Sequence, residues 1–215
     1  MNAHPPLFRP TWPLFALPWM LALALGTSPA AAVMVKQAPD FAAPHIPAAF
    51  APVAEVNGSA LLLNGSGTRI RSRLQVYDIA LYTPRRVYTT SALLALPGPK
   101  QLQFEALIEL TGTDLGQLLI RGMQANCSAT QMSRHTPSTT RLIEIFSARS
   151  RLLRGESFAM TYIPGKGTQF DIAGQAQGDP VGDAEFFEMI LRIWFGPASV
   201  DTQLRDQLLG RKLKP

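Results

Sequence analysis

Apolar side chains recur at every second position from Leu102 to Leu110 (Leu102, Phe104, Ala106, Ile108, Leu110), and Gln101, Gln103, Glu105 and Glu109 lie between or beside them. Successive side chains point to opposite faces only in an extended chain, so this spacing predicts a strand with one buried face and one wet face. Such a strand demands a sheet, and the sheet demands an apolar layer to cover it. Ile70 to Tyr82 obeys the same period: Tyr77, Ile79 and Leu81 fall on one face, Val76, Asp78, Ala80 and Tyr82 on the other. Phe158, Met160 and Tyr162 alternate again before Pro164-Gly165-Lys166-Gly167 turns the chain into Phe170 and Ile172, a hairpin. Upstream, Asn57-Gly58 marks a turn inside a strand pair over Val53 to Leu63, and Asn64-Gly65-Ser66-Gly67 is expected to be a second turn.

Helical spacing takes over between these strands and after them. Thr113 and Asp114 are expected to cap a helix carrying Leu115, Leu118, Leu119 and Met123. Ser138 or Thr139 opens another, with Leu142, Ile145 and Phe146 on one side. Asp183 begins a strongly apolar helix that reaches Trp194 and stops at Gly196; a last amphipathic helix covers about Ser199 to Leu209. Strands come first, then two helices, a hairpin and two more helices. That order predicts an α+β fold, one large antiparallel sheet with helices layered on one face, and a ligand cleft at the seam between the layers.

The N-terminus reads as an export leader. Arg9 precedes a fourteen-residue apolar or proline run, Trp12 to Leu25, and Ala30-Ala31-Ala32 offers a small-residue cleavage site. Fourteen helical residues span only ~21 Å against a hydrocarbon core of roughly 30 Å, and Pro13 and Pro18 interrupt them. Residues 1–32 are therefore expected to be a cleaved signal peptide and residues 33–52 a Pro/Ala-rich, disordered lead-in. Residues 53–212 form the domain, and the destination is periplasmic or secreted. No stable membrane span is expected after cleavage. Cys127 is the only cysteine, so no intramolecular disulfide can hold an exported domain of this size and its core must do so alone.

The net charge of +5 comes from scattered basic residues without a stripe of stacking aromatics, which argues against a nucleic-acid partner. No cofactor is expected: Gly65-Ser66-Gly67 opens no phosphate-binding helix, and His45 and His135 lack metal-ligand spacing. A nucleophile elbow is absent as well, and Glu105 and Glu109 sit on the wet side of their strand. What stands out is a cation in a β context. If the chain reverses near Ser72 to Leu74 so that paired residues sum to 146, Arg69 lies directly across the ladder from Tyr77. A guanidinium beside a phenol makes a clamp for a carboxylate or enolate. An arginine simply reaching into water from a hairpin end is the competing reading.

The stretch LLLNGSGTRIRSRLQVYDIALY, Leu61 to Tyr82, resembles the chalcone isomerase-like family: a G-x-G-x-R segment followed by a V-Y-x-x-x-L-Y strand. Leu110-Thr111-Gly112, Asn126-Cys127, Tyr162 to Thr168, Arg192 to Gly196 and Leu208 to Gly210 continue the likeness, which covers about residues 53–210. It implies an open-faced β-sandwich, a large antiparallel sheet under a layer of helices, and is nearest to the bacterial exported branch. It also implies a ligand set. The family's arginine matches Arg69 and its asparagine Asn126, while Tyr77 stands at the threonine position and Arg192 at the late Thr/Ser. The catalytic tyrosine position falls on Leu115 or Leu119, so the enolate donors are mostly missing. An Arg–Tyr pair at 69 and 77 is similar instead to the fatty-acid-binding members. The resemblance thus implies a small amphipathic anion, fatty acid-like, held without catalysis by Arg69, Tyr77, Asn126 and Arg192. Three alternatives stay open. One is an intramolecular isomerase or lyase acting on an enone or enolate, with Arg69 and Asn126 catalytic; the others are haem binding and a partner-binding scaffold.

Overall fold

A computed structural model describes residues 48–211. The leader, its cleavage position, residues 33–47 of the lead-in with His45, and the last four residues lie outside the described residues.

Seven antiparallel strands form the main sheet: β1 (Val53–Val56), β2 (Ser59–Arg71), β3 (Leu74–Thr83), β4 (Lys100–Ala106), β7 (Ser157–Ile163), β8 (Gly167–Ile172) and β9 (Gln175–Ala176). They lie side by side in that order, and β5 (Leu110–Thr111) pairs separately with β6 (Arg151–Leu152). The helices are α1 (Thr90–Leu94), α2 (Gly112–Asn126), α3 (Ala129–Arg134), α4 (Thr136–Ser147), α5 (Ala184–Phe195) and α6 (Thr202–Leu208). The α+β architecture expected from the element order is the one observed.

Turn chemistry sets the register. Asn57 and Gly58 both have positive φ, so the β1–β2 connection is a two-residue turn whose twist suits a hairpin. Ser72 and Arg73 also sit at positive φ and reverse β2 into β3. Arg71 faces Leu74 and Ile70 faces Gln75, then a bulge leaves Val76 over and Arg69 faces Tyr77. A two-residue turn plus one bulged residue thus produces the pairing that a three-residue reversal would have given.

The main core fills the helix-covered face: Ile79, Leu81, Leu102, Phe104, Ala106, Phe158, Met160, Phe170 and Ile172 meet Leu119, Met123, Phe186, Ile190 and Trp194. The opposite face carries a smaller cluster of Val56, Leu61, Ala80 and Tyr82, against which Phe50 packs. Residues 48–52, assigned by composition to the lead-in, lie along this face. Tyr82 donates to the Ala51 carbonyl at 2.9 Å, and the Ala48 N–H donates to the buried Asp78 at 2.6 Å.

Several local expectations are corrected. Asn64 to Gly67 is no turn but the middle of β2, because glycine is needed there for another element's approach, not for chain reversal. The alternation from Leu102 does not stay in one strand. β4 ends at Ala106, and Leu107, the apolar residue out of phase, leaves the ladder with its N–H on the Val76 carbonyl. Thr111, not Thr113 or Asp114, caps α2, and Leu118 points outward. The short α1 and α3 lack enough periodic positions to be read from the sequence, and α4 and α6 begin at Thr136 and Thr202.

Candidate ligand-binding site

Gly65, Gly67 and Arg69 follow one another on a single face of β2, opposite Leu81, Ile79 and Tyr77 of β3. That is the helix-covered face, and α6 lies directly on it. A Cβ at Gly65 would overlap the Gln207 carbonyl, and one at Gly67 would strike the Gln207 side chain and Leu204. The glycines therefore let a helix backbone approach a strand backbone. Buried Asn64 fastens the same contact, its amide nitrogen donating to the carbonyls of Leu208 at 2.8 Å and Val87 at 2.9 Å.

Arg69 ends this row. Its Nη1 donates to Asp201 Oδ2 at 3.2 Å and to the Ile70 carbonyl at 2.6 Å, and both ionic side chains are 20% exposed. Asp201 is the N-cap of α6, its other oxygen accepting from the N–H groups of Gln203 and Leu204 at 3.0 Å each. One carboxylate thus starts the helix and neutralises the guanidinium under it.

Tyr77 lies across the ladder from Arg69 and packs edge-on against Phe104. Its hydroxyl accepts the indole N–H of Trp194 on α5 at 3.0 Å. Among the described residues no acceptor takes the hydroxyl proton of Tyr77. Burial pushes the phenol up to about 12; the Trp194 hydrogen bond and the Arg69 charge work against that rise, and Asp201 adds to it. Tyr77 is therefore a neutral hydrogen-bond donor near neutral pH, not a base.

The other two expected site residues are spent on the fold. The Asn126 amide donates to Gly122 and Ala198 carbonyls at 2.9 and 3.1 Å and accepts from the Ala198 N–H at 2.8 Å. It ties the end of α2 to the segment that leads from α5 into α6, and a Cβ at Gly196 would collide with it. Arg192 makes two hydrogen bonds to Glu188 one turn earlier, at 3.1 and 2.6 Å. Neither contacts Arg69 or Tyr77. Leu115 and Leu119 are both buried in the core and bring no hydroxyl to the site. Sequence reading missed Trp194 and Asp201, although an aspartate at the start of a short amphipathic segment is an N-cap signal.

What this arrangement can do chemically is hold a carboxylate: a fixed cation stands beside a phenol with an uncommitted proton. Among the described residues, the donors at this point are the Arg69 guanidinium and the Tyr77 hydroxyl, fewer than a converging set for an enolate.

A family model described as chalcone isomerase-like matches residues 47–210. Among solved structures, a fatty-acid binding protein of Arabidopsis thaliana aligns with a TM-score of 0.57 at 15% sequence identity, covering 74% of this chain and 90% of that one. At that identity the likeness is one of fold. No curated protein matches the sequence.

Proposed function

From the premise that this chain belongs to the chalcone isomerase-like family, we propose that it is a non-catalytic binder of a small amphipathic anion, fatty acid-like, with Arg69 anchoring the carboxylate and Tyr77 donating the second hydrogen bond. One observation carries the reading. Arg69 already holds a carboxylate, that of Asp201, beside a tyrosine whose proton is uncommitted. The site is a carboxylate receptor filled from within, and the ligand exchanges with Asp201.

The apolar tail then takes the ground held by Leu204 and Leu208, the two fully buried residues of α6. Uncovering two leucines costs about 3–6 kcal/mol, and burying an acyl chain returns ~0.8 kcal/mol per methylene, so chains of roughly eight carbons or more come out ahead. Asn126 acts as a positioning residue, because it fixes the segment that delivers Asp201. Residues 1–32, read as a cleaved leader, support a site of action outside the cytoplasm.

Native mass spectrometry of the mature protein from a periplasmic extract tests the reading. A bound fatty acid is expected, absent from Arg69→Ala and more abundant in Asp201→Asn, which keeps an N-cap while freeing the guanidinium. A protein that leaves the cell empty, with acyl affinity indifferent to both substitutions, sinks it.

A further inference from the structure

A second cation lies on the same sheet face. Lys100 opens β4 in phase with Leu102, Phe104 and Ala106, so its stem points inward with theirs, and it is 6% exposed. Across the ladder stands Tyr162, whose ring lies 5.6 Å from the ammonium nitrogen and stacks on Phe187 of α5 at 5.5 Å. The ammonium makes one long hydrogen bond, 3.4 Å to the Gly98 carbonyl, and among the described residues no carboxylate lies within ion-pair distance of it. Above it opens a cleft of about 370 Å³, lined by Leu94, Leu96, Tyr162, Phe187 and Leu191 along with the lysine itself. That volume falls within the range of small-molecule sites.

Two acids also line the cleft, and both are already matched. Glu188 accepts two hydrogen bonds from Arg192. Glu185 accepts from Arg134 at 2.6 Å and from Gln131 at 3.2 Å and meets His135 at 3.1 Å, and these three partners, His135 foremost, hold its carboxyl down to about 2. Lys100 is left without a carboxylate in direct contact; desolvation lowers its pKa, and Glu188, acting from beyond ion-pair distance, only partly opposes that. A buried cation over an aromatic wall, with no carboxylate in direct contact, can still receive an anion. The acids at the rim disfavour a dianion, so a single negative charge suits the site better than a phosphate.

We propose that the cleft over Lys100 is a second binding site, separate from Arg69, that takes a small monocarboxylate with a compact apolar body, aryl or short acyl. The ammonium receives the carboxylate, while Tyr162, Phe187 and Leu191 cover the body.

The test titrates the full mature chain with 4-phenylbutanoate, and with 4-phenylbutanol as neutral control, following the Tyr162 and Phe187 ring protons by NMR. Saturable shifts at those rings are expected, with the alcohol at least tenfold weaker. Lys100→Met should weaken the acid at least tenfold and Lys100→Arg by less than threefold. Ala184→Trp, at an exposed lining position, should block acid and alcohol alike without touching the core. Arg69→Ala should change nothing here. Equal binding of acid and alcohol, or full affinity in Lys100→Met, overturns the proposal. So do shifts that centre on Tyr77 and vanish in Arg69→Ala, an outcome that leaves the Arg69 reading standing.

Discussion

The two ends of one sheet face treat an inward-facing cation in opposite ways. Tyr77, opposite Arg69, pairs with Ala106 at one end of β4, and Lys100 sits six residues back at the other, roughly 20 Å along the strand. At the first end a helix N-cap supplies a carboxylate and two glycines clear the way for it. At the second, helix α5 brings to the cleft a phenylalanine, a leucine and two glutamates already paired with Arg192 and Arg134, so the ammonium directly meets only a ring and a distant carbonyl. The chemistry of the two cations explains why both arrangements persist. A guanidinium cannot discard its proton and must be answered; an ammonium can, and tolerates an apolar niche at the cost of a lowered pKa. Carboxylate exchange is therefore expected at the first end and carboxylate capture at the second.

The contrast can be broken most forcefully at Gly65. Gly65→Val should cost ~3 kcal/mol or more in denaturant unfolding, since its side chain meets helix backbone, and should expose Arg69 by displacing α6. A loss below 1 kcal/mol would mean that α6 is not seated through this contact.

The next effect is electrostatic and has opposite signs at the two ends. Tyr77 ionises at about 12 in the folded protein against 10.0 when unfolded, so between these values the native state holds the extra proton and stability falls as pH rises. The fall should reach about 2–3 kcal/mol and disappear in Tyr77→Phe. Lys100 runs the other way. Its folded pKa lies below 10.5, so from there up to 10.5 the unfolded chain binds more protons and stability rises with pH. Lys100→Met should accordingly stabilise the protein near neutral pH, with the advantage shrinking as pH climbs toward 10.5. Destabilisation instead would show that the ring and carbonyl satisfy the ammonium fully.

The smallest change is expected from Asp201→Asn. The cap survives and a partly exposed ion pair is lost, so unfolding should shift by only about 0.5–1 kcal/mol while acyl affinity improves. A larger stability loss would make Asp201 a structural anchor that a ligand cannot displace.

The facing of the two candidate residues is legible in the sequence, and what surrounds them is not. The Arg69–Tyr77 pairing follows from strand period and a reversal near Ser72, although a bulge, not a longer turn, produces it. Lys100 is equally readable: a lysine at the even positions of an apolar row has to point inward. Asn126 and Arg192 show what the sequence could not reveal about hydrogen-bond partners. Residue type and position matched a ligand set, yet their hydrogen bonds are consumed by the α5–α6 segment and by Glu188. Gly65 and Gly67 were misread because turn and close approach leave the same composition; only a helix 140 residues later distinguishes them.

Period and punctuation in the amino-acid order were sufficient for the individual strands and their inward faces, the major helices and the facing of Arg69 with Tyr77, because those depend on neighbours a few residues apart. The pairing of β4 with β7 does not. Tertiary structure alone decided what each cation meets. Asp201 reaches Arg69, and Phe187 reaches Tyr162 beside Lys100, only through the docking of helices far along the chain. Local periodicity specifies which way a side chain points; whether a carboxylate or a ring awaits it depends on long-range packing, which no short window of sequence contains.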